Sequence, residues 1–329
     1  MVVVFYHTSK IVFFGKCAVY VFFILSGYWL DQIYRSKYSQ TLNPIRTFYV
    51  SRFLRIYPVF AASTVLGFLA QWLIQSPIEI GWKQWIPLGY SSLPYRLLEP
   101  GWSLDIEVQF YIIFPLLFSI FLQGVRALSG LAVLLLLLGS TYYFGLLNSF
   151  LTYSGFFVAG MAVSHYKWKP SETLFRTSVV ASVALFAVVF AVSATRNSIL
   201  GSGKVSFQGN DLTLVFDIML AVLMVPFVAK NVMVRDTSLG RHAGNLSFPL
   251  YLVHWVTLGP YVAWYGGLPV RERLVWFGMY LLVTAVITLL VYITVDRPFE
   301  NARRKYINSR CHKSISTETP TLIGESVSQ

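Results

Sequence analysis

Charge and cysteine are scarce in this sequence, and acidic residues scarcer still. Only 12% of its 329 residues are charged, about half the share usual in soluble domains, which excludes an ordinary water-soluble globular chain. Two cysteines, Cys17 and Cys311, cannot build a disulfide framework. The topology read below sets them on opposite sides of a membrane. No metal-ligand spacing and no glycine-rich phosphate loop occurs, so no metal is expected. The N-terminus lacks the basic region and cleavage site of a signal peptide, which leaves insertion to the apolar spans themselves. No internal repeat and no soluble second domain is found.

What fills the chain instead is apolar. Hydrophobic residues make up 56% and aromatic residues 17%, and the mean hydropathy is +0.60. The expected fold is an all-α polytopic membrane protein of about ten transmembrane helices, each close to the roughly 20 residues a bilayer needs. Met1 to Phe14 reads as the back half of a first, incomplete helix. Later spans are expected near 18–34, 56–75, 102–122, 131–147, 150–166, 177–195, 212–229, 246–265 and 274–295. Residues 1–300 form the membrane domain, and 301–329 a basic, then disordered, cytoplasmic tail.

The formal charge of +12 points to lipid rather than nucleic acid once the positions of Lys and Arg are followed. With the loop 35–55 placed in the cytoplasm, twelve fall in inner loops and six in the C-terminal tail, against eight outside. That is the positive-inside bias, with both termini cytoplasmic. The longest outer loop, 76–101, carries Trp82, Trp85 and Tyr90. It reads as an aromatic-anchored surface or re-entrant piece, or as the roof of a substrate cleft.

The chain is organised around Trp102 to Pro115, W-S-L-D-I-E-V-Q-F-Y-I-I-F-P. Helical spacing puts Ser103, Glu107 and Tyr111 on one side and pairs Asp105 with Gln109 on another. A carboxylate inside an apolar span is costly and should face other helices or a wet cavity. The plainer reading is a helix end hydrogen-bonding at the headgroups. His7 and Glu107 come to similar depth, roughly 8–10 Å below the outer surface at 1.5 Å per residue. They form a plausible acid/base pair, though each could instead bond separately to a neighbouring helix.

Arg46, Arg52 and Arg55 sit in an inner loop without an acidic residue, and Arg52 and Arg55 share a face if that segment is helical. Paired guanidiniums suit a phosphate ligand; lipid headgroup anchoring is the commoner use. Tyr251 and His254 share a face near mid-bilayer, and Asp217 is a further buried acid. Ser26 and Gly27 make a small step that suits close helix packing.

Several segments together resemble the acyltransferase 3 family of bacterial inner-membrane acyltransferases. They are V-V-F-Y-H at 3–7, V-F-F-I-L-S-G-Y at 21–28, R-F-L-R-I-Y-P at 52–58, W-S-L-D-I-E-V-Q-F-Y at 102–111, N-L-S-F-P-L-Y-L-V-H at 245–254 and V-D-R-P-F-E at 295–300. In the last of these, Asp296 stands where the family usually has glutamate. The resemblance implies transfer of an acyl group, by default acetyl from acetyl-CoA, to a hydroxyl of an exopolysaccharide, O-antigen or related glycan, with no bound cofactor. It implies His7 as general base, Glu107 as a second essential group, and Arg52 and Arg55 at the donor's phosphates. Ser26, Trp102, Tyr111, Tyr251 and His254 are supporting residues. Acyl-CoA, a glycan acceptor and the bilayer are the expected partners, with a separate periplasmic or biosynthetic protein for any second transfer step. The family's histidine follows an arginine eleven positions earlier, whereas this sequence starts six residues before His7; a late start or a truncated, inactive remnant is expected. A polytopic transporter or flippase is the alternative from another class.

Overall fold

The computed structural model describes residues 15–76, 81–124, 150–202, 204–208, 210–234 and 237–311. The segment with His7, the span expected at 131–147 and the tail beyond Cys311 lie outside the described residues.

The described chain is helical almost throughout. Its helices are α1 (Gly15–Ser36), α2 (Pro44–Leu73), α3 (Gly101–Leu122), α4 (Phe150–His165), α5 (Glu172–Ala191) and α6 (Ser193–Ser202). They continue with α7 (Thr213–Leu223), α8 (Val225–Asn231), α9 (Ser238–Tyr265), α10 (Val270–Val291) and α11 (Arg297–Arg310). A two-residue hairpin, β1 (Ser206–Phe207) with β2 (Asn210–Asp211), is the sheet structure among the described residues.

A helix stands at each expected span that is described. Five are long and apolar enough to cross a membrane, or six if α7 and α8, bent by 41°, count as one broken span. That is the extent to which length and hydropathy support the expected ten. The bend falls where Pro226 occupies the first turn of α8, a residue that cannot donate to the preceding turn.

One expectation is corrected. Hydropathy makes residues 35–55 a loop, yet α2 begins at Pro44. Asn43 caps it, accepting a bond from the Arg46 amide, and Pro44 stands in the first turn, a start signal that hydropathy does not register. Arg46, Arg52 and Arg55 therefore ride on the first turns of a 30-residue helix rather than in a loop.

Among the described residues α1 and α4 form the closest helix pair. A Cβ on Gly27 would sit 2.0 Å from the Phe157 carbonyl oxygen, and one on Gly160 1.8 Å from that of Ile24. Only glycine lets the two backbones meet, as the Ser26–Gly27 step predicts. Around this contact Phe23 and Phe110 stack on Phe157, with ring centroids 4.6 and 4.1 Å apart. That aromatic cluster ties α3 to the pair.

α10 passes through one π-helical turn, Tyr292–Asp296, into α11. The wide turn carries Asp296 into the protein, where it is 4% exposed. α11 then lies against the start of α2, and the Leu42 amide donates to the Arg310 carbonyl at 3.1 Å. The boundary expected at residue 300 thus falls inside a packed helix.

The loop after α2 is anchored by Asp105, which is fully buried. Its carboxylate accepts from the Gly89 amide at 2.7 Å, the Ser91 amide at 2.9 Å, the Ser91 hydroxyl and Gln109 Nε2 at 2.8 Å. Beneath that turn Tyr90 is buried and its oxygen accepts from the Leu98 amide at 2.8 Å. Burial pushes its phenol pKa up to about 12. Replacing Asp105 by alanine strands several buried donors, at roughly 1–3 kcal/mol each. Thermal unfolding in detergent should show Asp105→Ala well below the parent protein. An unchanged melting temperature would mean that water takes over those bonds.

Candidate functional site

Where α1, α2, α3, α9 and α11 converge there is a cavity of about 640 Å³. Ser26, Arg52, Arg55, Glu107 and Tyr111, all expected site residues, line it together. Sequence alone set Glu107 toward the outer side and the arginines on the inner side. The structure places them in one space, because α2 starts three turns earlier than hydropathy indicates.

Glu107 is 5% exposed. The Tyr111 hydroxyl and the Ser26 hydroxyl, the latter at 3.2 Å, both donate to its Oε1. Among the described residues Oε2 accepts no side-chain hydrogen bond. Among the described side chains, then, the carboxylate is held by its Oε1 alone.

Arg52 lies over the rings of both Tyr38 and Tyr111, 5.7 Å from each centroid. This cation–π sandwich joins it to Glu107 through Tyr111. Its Nη2 donates to the Tyr38 oxygen at 2.5 Å, and that oxygen also receives Arg303 Nη1 at 3.4 Å. Guanidiniums only donate, so the phenol proton goes to the Ser51 oxygen 2.7 Å away. Arg55 pairs with Asp296 at 3.2 Å and lies over the Phe248 ring, 5.6 Å from its centroid. The π turn thus brings the short side chain of Asp296 within reach of the arginine.

Glu300, Arg303 and Arg304 complete the lining of the basic end. Glu300 accepts from Arg303 Nε and Nη2 and from Arg304 Nε, each at 2.8 Å. Sequence reading missed Arg303 and Arg304, having assigned 301–329 to a tail, and gave Glu300 no role beyond closing the segment 295–300. The signal was present: in E-N-A-R-R the arginines stand three and four residues after the acid, one face of a helix.

Other expected residues lie elsewhere. Trp102 is absent from this cavity's lining and packs edge-on against Phe23, with centroids 6.4 Å apart, and beside Tyr153. Tyr251 and His254 line a separate, mostly apolar cavity of about 490 Å³, which shares Phe22, Ser247 and Phe248 with the first. Tyr251 bonds Ser103 at 2.8 Å and the Pro100 carbonyl at 3.2 Å, fixing α9 to the start of α3. His254 Nδ1 lies 3.2 Å from the Leu250 carbonyl. Asp217 is fully buried on α7, away from both cavity linings.

A third cavity, about 550 Å³, is lined by Trp82, Trp85 and Pro87 of the loop after α2 and by Arg52, Ile56 and Tyr111. The last three also line the first cavity, so Arg52 and Tyr111 form the partition between them. The loop after α2 therefore folds down beside the candidate site. Among the described residues no group of side chains could hold a metal ion.

Comparison with known proteins bears on what this site does. Residues 1–295 match a family described as an acyltransferase domain. The chain is 34% identical over 113 residues to "Acyltransferase MdmB" of Streptomyces mycarofaciens, covering 31% of this chain and 28% of that protein. It is 26% identical over 141 residues to an uncharacterized protein of Haemophilus influenzae, covering 36% of this chain and 55% of that one. The matched stretch is thus less than two thirds of either relative's length. No solved structure matches.

Proposed function

Because this chain belongs to the acyltransferase 3 family, we propose that it is a bacterial inner-membrane O-acyltransferase using an acyl-CoA donor. Acetyl is the default acyl group, and a hydroxyl of an exopolysaccharide, O-antigen or related glycan is the acceptor. Both termini are cytoplasmic in this reading. The observation that supports it is the single cavity lined by Glu107 and Tyr111 as well as by a cluster of arginines.

The chemistry asks for three things: the donor held by its phosphates, the hydroxyl brought to the thioester carbon, and one proton moved. Arg52 and Arg55 bind the phosphates as charge-assisted donors. The acceptor oxygen attacks the thioester carbonyl, the carbon–sulfur bond breaks, and the proton lost by the hydroxyl ends on the departing thiolate. His7 carries that proton, and Glu107 orients or charge-stabilises the group that holds it. Tyr111 and Ser26 fix the carboxylate, so it need not reorganise as charge develops. A thioester is already activated, and the scheme uses no metal or bound cofactor. A separate periplasmic or biosynthetic protein would serve any second transfer.

The test compares surface polysaccharide from a gene-deleted strain complemented with the parent gene or with His7→Ala, scored for alkali-labile ester groups by mass and NMR. Esters present with the parent gene and reduced about 100-fold or more with the variant are expected of a general base. Unchanged esters, with the variant protein in the membrane, would remove His7 from the mechanism. Esters absent with both genes would point instead to transport or an inactive remnant.

A further inference from the structure

We infer that Arg303 and Arg304 on α11 form a second phosphate subsite, for the ribose 3′-phosphate of the acyl-CoA donor. This rests on the donor reading above. Its ground is the charge balance at the basic end of the cavity.

Four guanidiniums, those of Arg52, Arg55, Arg303 and Arg304, gather there against the carboxylates of Asp296 and Glu300, and with Glu107 in the same lining the formal balance is still one positive charge in excess. Arg52 and Arg303 donate to the same Tyr38 oxygen. Like charges held that close repel unless an anion lies near both. Glu300 supplies one negative charge to two arginines. It grips Arg303 through both oxygens but meets Arg304 only at Nε.

Among the described residues the two terminal nitrogens of Arg304 donate to no side chain. Its side chain is 68% exposed, against 14% for Arg303. One deep and one shallow guanidinium on one helix face, aimed by a shared carboxylate, suit a phosphate dianion arriving from the open end. Coenzyme A carries its phosphates in two separate places, a diphosphate bridge and a 3′-monoester. Arg52 and Arg55 on α2 answer the first, and the pair on α11 answers the second. A phospholipid headgroup offers the same chemistry, so the test separates the two sources.

Arg304 is the residue to change, because Arg303 also donates to Ser51 at 3.0 Å and its loss would loosen α11. The purified protein in neutral detergent is titrated calorimetrically with coenzyme A and with 3′-dephospho-coenzyme A. The 3′-phosphate should tighten binding about tenfold, as one charge-assisted contact does. Arg304→Ala should bring that preference close to unity, whereas Lys305→Ala, exposed on the same helix, should keep it. A preference that survives Arg304→Ala, or that is missing from the parent protein, overturns the subsite and leaves the donor reading standing. If neither compound binds, the donor reading itself fails and takes the subsite with it. The titration is repeated in phosphatidylcholine vesicles with and without phosphatidylglycerol. An Arg304 effect that follows the anionic lipid rather than the 3′-phosphate assigns the pair to headgroups and overturns the proposal.

Discussion

Glu107→Gln is expected to lower acyl transfer by about 100-fold or more, the range found when a positioned acid or base is lost. Glutamine keeps the shape of the side chain and an oxygen to accept from Ser26 or Tyr111. What it loses is the charge and the basicity of Oε2, the oxygen without a side-chain donor among the described residues. Stability should move the other way. A buried carboxylate without a formal cationic bond costs desolvation energy, and neutralising it removes that cost. The variant should therefore accumulate in the membrane and melt no lower than the parent. Radiolabel transfer from acyl-CoA in isolated membranes, set beside the melting temperature, reads both effects. Full activity in the variant would reduce Glu107 to a hydrogen-bond acceptor that holds α1 and α3 together.

The second large effect lies outside the cavity. Gly160→Leu should leave little folded protein, because its Cβ would meet the Ile24 carbonyl oxygen at 1.8 Å. A backbone atom cannot swing aside as a side chain can, so α1 and α4 must part. Overpacking costs about 1–3 kcal/mol and more where nothing yields, and here the gap opened would run through the Phe23–Phe157–Phe110 stack. Gly155 on the same helix supplies the contrast. A Cβ there meets nothing within 4 Å, so Gly155→Ala should be neutral or slightly stabilising through helix propensity. Size-exclusion profiles and thermal melting in detergent distinguish the two. Equal behaviour of the two variants would mean that α1 and α4 are not packed as described. Loss of the contact would also disturb Ser26, the neighbour of Gly27, whose hydroxyl reaches Glu107.

Much of the local structure was legible because lipid imposes a simple rule. Apolar runs of the right length must be helices, since every backbone group has to be bonded within its own segment. The pairing of Asp105 with Gln109 and the close approach at Gly27 followed from spacing and residue size alone. The start of α2 was not legible from hydropathy, because Asn43 and Pro44 set it by capping, twelve residues before the apolar run expected at Ile56. That shift moved Arg52 and Arg55 from a loop into the wall of the cavity.

The sequence by itself determined an all-helical membrane chain, its family resemblance, and the acids and bases to watch. It could do so because composition and short-range periodicity act through neighbouring residues. Only the tertiary structure decided that Arg52 lies against Tyr111, that Asp296 answers Arg55 across 241 positions, and that α11 belongs to the cavity rather than to a tail. Those contacts join residues far apart in the chain. The start of α2 at Asn43 and Pro44 sets Arg52 and Arg55 on a helix, and the π turn carries Asp296 inward, features whose consequences appear only once helices pack.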